Sequence, residues 1–151
     1  MEFLDDYEFV EQYERVKRFL GRVEDQDRGS LDYDDDVYAF FVNCYHLKDW
    51  IKHDPKLSPE MRDSVEDYVN THESLMICGD LANRSKHYVL DAENFGAKIV
   101  SKGVIIKVGG KDERPIGIDA GHKKLNALNI ARTSVKDWNN FIIKNGLVKP
   151  E

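Results

Sequence analysis

Two groups of polar side chains hold the titratable and amide functions from which an active site would be built. One is Asp80, Asn83, Lys86 and His87 in GDLANRSKH; the other is His46, Asp49 and His53 around Trp50 in YHLKDWIKHD. An imidazole changes charge near neutral pH. His87 would therefore move a proton on or off a phosphodiester oxygen, with Lys86 or Arg84 neutralising charge that develops on the phosphate. That is a metal-free general acid–base site for cleaving RNA. A different chemistry would be a divalent ion held by His46, Asp49, His53 and His87. On a straight helix His46 and His53 stand about two turns apart, too far to share one ion easily, so neither metal nor cofactor is expected. A third reading has no chemistry in it. Asp49 would then fix a histidine tautomer, Asn83 would cap a neighbouring loop, and Asp80, Asn83 and His87 would form an ordinary solvated face.

Positioning these residues is the task of the stretch Asn70–Leu90 and of the helix before it. Asn70 with Glu73 three residues on makes a capping box, which predicts a helix start. On the wheel, Leu75, Cys78, Ala82, Ser85 and Val89 share one face, and Met76, Asp80, Asn83 and His87 the other. If the segments Ser58–Val69 and Thr71–Tyr88 each reverse direction, the second runs parallel to the helix Asp36–His53, and the two polar clusters meet. If residues 59–87 form one continuous helix, the clusters lie at opposite ends. The capping signal favours the first arrangement.

The other elements follow from periodicity. Phe9, Tyr13, Val16, Leu20 and Val23 stripe a helix from Asp5 to about Val23, with acids leading and bases following, as the helix dipole prefers. EDQDRGSLDYDDD is a loop, and its run Asp34, Asp35, Asp36 suits a helix N-terminus better than a cation, which needs convergent oxygens. Asp36–His53 is apolar nearly all round and so central. Ser58-Pro59 opens the next helix, serine as cap and proline in the first turn. After Leu90 the pattern changes to short β-rich runs about Ser101-Lys102-Gly103, a hairpin over 97–109, with a further short strand in GKDERPIGIDAGHKK. A closing amphipathic helix over 125–144 carries Leu128, Ala131, Val135, Trp138 and Ile142, and Asn145-Gly146 ends it. The expected fold is a single, mainly α domain over 1–151: an up-and-down helical bundle (5–90) with a small β-hairpin insertion before the last helix.

Composition narrows the function classes. At 151 residues the chain can bury a core without staples. No apolar run is long enough to span a bilayer, and the acidic start MEFLDDYEFV lacks the order of a signal peptide, so the expected location is the cytoplasm, away from membranes. Cys44 and Cys78 fit no metal spacing and read as buried free thiols. The net charge of −6 argues against a surface that tracks nucleic acid everywhere. The charge is uneven, though: residues 1–36 hold thirteen acids and five bases, and the remainder is slightly basic. A local basic patch is compatible with that balance, and the acidic third would suit a basic protein partner. The glycine-rich pieces GVIIKVGGK and IGIDAGHKK do not fit a P-loop and read as turns, with His122 in one of them.

A helical bundle whose last long helix ends in a polar cluster with histidine resembles the HEPN superfamily, the small helical domains of many toxin and phage-defence ribonucleases. The family motif is an arginine, four to six residues, then a histidine, and His87 would be that histidine. Gly79, Asp80, Leu81 and Ala82 occupy the positions where the arginine is expected, and Arg84 is nearer than the motif allows. The resemblance spans roughly Asp5–Leu90 and implies a metal-independent endoribonuclease, often active as a homodimer. Members without the motif are typically binding or antitoxin-like partners. The alternative is a non-enzymatic interaction module, a phage or mobile-element accessory protein, engaging a basic partner through its acidic N-terminal region.

Overall fold

The computed structural model describes residues 1–26, 30–86, 96–102, 113–121 and 123–151. Among these residues the order is α1 (Phe9–Glu24), α2 (Ser30–Lys52), α3 (Pro59–Asn70), α4 (Glu73–Lys86), β1 (Lys98–Lys102), β2 (Ile116–Ala120), β3 (Lys123–Asn126) and α5 (Ala127–Lys144). The fold is mainly helical, with a small antiparallel sheet ahead of the last helix, as the sequence pattern predicts. None of the described helices is long and apolar enough to cross a membrane.

α1, α2 and α5 bury most of the stripe their sequence advertises, with Leu20, Leu128 and Val135 half-buried at its edges. α1 buries Phe9, Tyr13, Val16 and Val23. α2 buries Val37, Phe40, Phe41, Cys44, Leu47 and Ile51 and touches all four other helices, so the helix that is apolar nearly all round is indeed the central one. α5 buries Ala131, Trp138 and Ile142, and the Trp138 indole N–H donates to the Cys44 carbonyl at 3.1 Å, tying α5 to the middle of α2. Both thiols are free and buried, and burial pushes the Cys44 thiol well above its usual range.

Helix ends follow local chemistry. The Ser58 hydroxyl accepts from the Met61 N–H, with Pro59 in the first turn. Asn126 caps α5 by accepting from the Asn129 N–H, so the helix starts two residues later than its periodicity suggests. Gly146, at φ 66°, turns the chain after α5. α1 has no side-chain cap of its own. Its first N–H, from Phe9, donates instead to the buried carboxylate of Asp54 at 2.9 Å, at the far end of α2.

The sheet has order β1-β2-β3. Ile99, Ile118 and Leu125 stand in one row across it, and Lys98, Asp119 and Lys124 in the next. In β2 the buried residues are Ile116, Ile118 and Ala120, so the isoleucine row faces the core and the lysine row faces outward. The first run of the expected hairpin over 97–109 is β1, which pairs with β2; residues 103–109 lie outside the described residues.

Candidate functional site

α4 is buried on more sides than its wheel suggests. Leu75, Cys78 and Ala82 are buried, and so are Ile77, Leu81 and Asp80. Asp80, expected on a solvated face, is only 1 % exposed, and its carboxylate accepts the Ala97 N–H at 3.3 Å. One turn later Arg84 donates from Nε to the Ala97 carbonyl at 2.8 Å. Together they hold both backbone groups of the residue that leads into β1. The polar face of α4 is thus covered by the chain arriving from the sheet, which is why Asp80 is not solvated. Asn83 is half-buried beside this clamp. The side chain of Lys86 and the whole of His87 lie outside the described residues, as does His122.

The second cluster stays apart from this one. His46 and Asp49 are exposed on α2 and His53 just past its end, where His53 Nδ1 lies 2.8 Å from the Asp49 backbone carbonyl. Among the described residues no hydrogen bond or ion pair joins His46 or Asp49 to Asp80 or Asn83. The physical reason is helix direction. Tyr68 stacks with Trp138, Ser74 donates to Asp137 at 2.5 Å, and Cys78 meets Ser134 at 3.2 Å. α3 and α4 therefore pass α5 in the same sense, with a bend at Thr71-His72 and no reversal. α1 runs against α2, through Gln12 with Asn43 and Tyr33 with Val23. It also runs against α5, through Tyr13 with Asn139 and Arg132 with Glu24. α5 is therefore parallel to α2, and α4 antiparallel to it. The expectation that α4 runs parallel to α2 is corrected: its closing turns lead toward the sheet, away from Asp49 and His53. The capping-box position shifts as well, since Asn70 is the last residue of α3 and α4 begins at Glu73.

Among the described residues no group of three or more His, Cys, Asp or Glu is arranged to hold a metal ion. One histidine outside both predicted clusters is well placed, however. His72, at the α3–α4 bend, stacks on Tyr68 with ring centroids 3.9 Å apart, and its Nδ1 is 2.6 Å from the Tyr68 carbonyl. A carbonyl only accepts, so Nδ1 carries the proton and Nε2 is the basic nitrogen when the ring is neutral. His72 lines an open groove of about 390 Å³ with Asp67, Phe141 and Lys144. Its backbone N–H donates to the Val69 carbonyl at the end of α3 and its carbonyl accepts from Leu75 and Met76 at the start of α4, so it joins the two helices. The sequence signal was a histidine immediately after a helix-ending Asn-Thr pair.

The stretch of sequence that includes the sheet is basic. Residues 96–126 carry seven bases and three acids, a net +4, in a chain of net −6, which leaves −10 for the rest. Lys98 and Lys124 are exposed in the outward row, one on each side of Asp119, and Val100 is 47 % exposed beside them. Lys123 turns to Glu73 at 3.2 Å and fixes β3 against the start of α4. No family model, curated protein or solved structure matches the chain.

Proposed function

We propose that the protein binds RNA through the basic outer row of its sheet, and that His87 supplies the proton transfer for metal-independent cleavage, as the resemblance to HEPN domains implies. The observation that carries the reading is the outward row Lys98, Asp119 and Lys124, which lies in a stretch of sequence, residues 96–126, of net +4 in a chain of net −6. A polyanion meets repulsion over most of the surface and attraction at the sheet, so the field selects one face. Lys98 and Lys124 would take phosphates, while the clamp of Asp80 and Arg84 on Ala97 holds β1 at the end of α4. His87 follows α4 directly in sequence. Asp80 belongs to this framework and is a positioning residue in the reading; Asn83 and Lys86 remain candidates beside His87. The test is incubation of total RNA with the purified protein and with His87→Ala. Cleavage lost in the variant supports catalysis. No cleavage by either protein, or equal cleavage by both, contradicts it, and a mobility-shift assay then reports on binding alone.

A second reading, a module that docks a basic protein partner, is favoured by a different feature. Asp6, Glu8 and Glu11 surround a cup of about 440 Å³ with Tyr7 and Trp50. Carboxylates over aromatic rings suit a cationic side chain, and Arg15 of the same chain already lies 6.0 Å from the Trp50 ring. The Asp34–Asp36 run contributes less to such a face, because Asp36 is buried with Arg22 at 3.9 Å. A pull-down sensitive to salt and abolished by Trp50→Ala with Glu11→Lys would support this reading, and insensitivity to both would contradict it.

A further inference from the structure

We infer that the cleft between the end of α1, the start of β2 and the first turn of α5 is a phosphate-binding site for a nucleotide-sized ligand. It is independent of the RNA reading and of the outer sheet row. The cleft holds about 360 Å³, within the range of small-ligand pockets. Its polar lining is Gln26, Arg114, Asn126, Asn129, Arg132 and one acid, Glu113.

The orientation of these groups makes the lining rich in donors. Gln26 Oε1 accepts the Arg114 backbone N–H at 2.5 Å, and Asn126 Oδ1 accepts the Asn129 N–H at 3.1 Å. With both amide oxygens engaged, the NH₂ groups of Gln26 and Asn126 are the ends offered to a ligand. Arg114 donates from Nε to the Gln26 carbonyl at 2.8 Å, which fixes the plane of its guanidinium. Arg132 pairs with Glu24 at 3.2 Å, but both side chains are well exposed, 54 % and 42 %, so water screens the pair and a phosphate can displace it. The first turn of α5 has no acidic residue to compensate its N-terminal dipole. Two guanidiniums and two amide NH₂ groups around one cavity, at a helix start whose first turn holds no acid, match a phosphate, which accepts hydrogen bonds and carries negative charge.

The experiment is an NMR titration of the full ¹⁵N-labelled chain with pyrophosphate, with AMP and with a short single-stranded RNA, in separate arms. The amides of Ile116, Leu128 and Asn129 report on the cleft. The expected result is saturable shifts there with AMP or pyrophosphate, weakened about tenfold by Arg132→Glu. Asn129→Asp should weaken binding as well, although an acid in the first turn favours the helix, so that loss is not a loss of folding. Binding of AMP or pyrophosphate with no RNA binding would leave the site standing and remove the RNA reading. RNA binding unaffected by both variants, with no saturable shift from AMP or pyrophosphate, would overturn the site and leave the RNA reading intact. Saturable shifts that both variants leave unchanged would also overturn it.

Discussion

The Asp80 carboxylate accepts the backbone N–H of Ala97 at 3.3 Å, inside the protein, where α4 meets the strand that begins the sheet. The residue looks like part of an active site, and the structure uses it to attach the basic sheet to the acidic bundle. Arg84 completes the grip on the carbonyl side of the same residue.

Removing this clamp should loosen the sheet before it unfolds the bundle. Asp80→Ala leaves the Ala97 N–H without that acceptor, at a cost of about 1–3 kcal/mol. Arg84→Ala should cost a similar amount through the opposite group. Urea denaturation checks the magnitude. Amide exchange should show β1 losing protection while the middle of α2 keeps it. Equal loss everywhere would contradict the local assignment.

Asp54 should matter to α1 although it is 45 residues away from its partner Phe9. Its other carboxylate oxygen accepts the Lys56 N–H at 3.0 Å, so the side chain is held from two directions. Asp54→Ala should destabilise the protein by about 1–2 kcal/mol, the size of a lost helix cap, and Asp54→Asn by less. Thermal unfolding of the two variants side by side checks the order.

Gly79 is a packing constraint. A Cβ there would lie 2.8 Å from Tyr45 Cε1, on a ring already held by Lys48 over its face. Gly79→Ala should cost about 1–3 kcal/mol by overpacking, more than it gains in helix propensity. Shrinking the ring with Tyr45→Leu should recover most of that cost. A double-mutant cycle showing simple additivity would contradict the contact.

Acid should act partly through Glu66. Its hydrogen bond from Lys52 at 2.7 Å, with Lys48 at 3.5 Å, holds its carboxyl below the usual glutamate range and links α2 to α3. A folded-state pKa lowered in this way adds stability above the ordinary glutamate value, and the contribution is lost as pH falls through the folded one. The group is 40 % exposed, so the effect is at most about 1 kcal/mol. Glu66→Gln should flatten the stability–pH curve below about pH 4.5 and leave it unchanged above pH 6 apart from a constant offset. Urea midpoints measured across that range test it.

Much of the fold was legible because helix stripes and caps are local signals. The α1, α2 and α5 stripes, the Ser58-Pro59 start and the Gly146 stop all appear where the residues indicate. The environment of Asp80 was not legible, because a helical wheel describes one helix, and Asp80 is covered by chain seventeen residues further on. The path of α4 was hidden for a related reason. Asn70 and Glu73 mark a junction, but the angle there is set by Tyr68, Ser74 and Cys78 packing along α5. β2 is the short strand expected in GKDERPIGIDAGHKK, marked by the alternation of Ile116, Ile118 and Ala120 despite the glycines and proline around it.

If the outward lysine row of the sheet meets RNA phosphates, as proposed, RNA affinity depends on salt through Lys98 and Lys124. Fluorescence anisotropy with a labelled single-stranded RNA should give tighter binding at low salt. Lys98→Glu with Lys124→Glu should weaken that binding about tenfold and reduce the slope of log affinity against log salt by about one to two. An unchanged affinity and slope in the double variant, or no binding by the native protein in about 50 mM salt, would rule out RNA binding at this row.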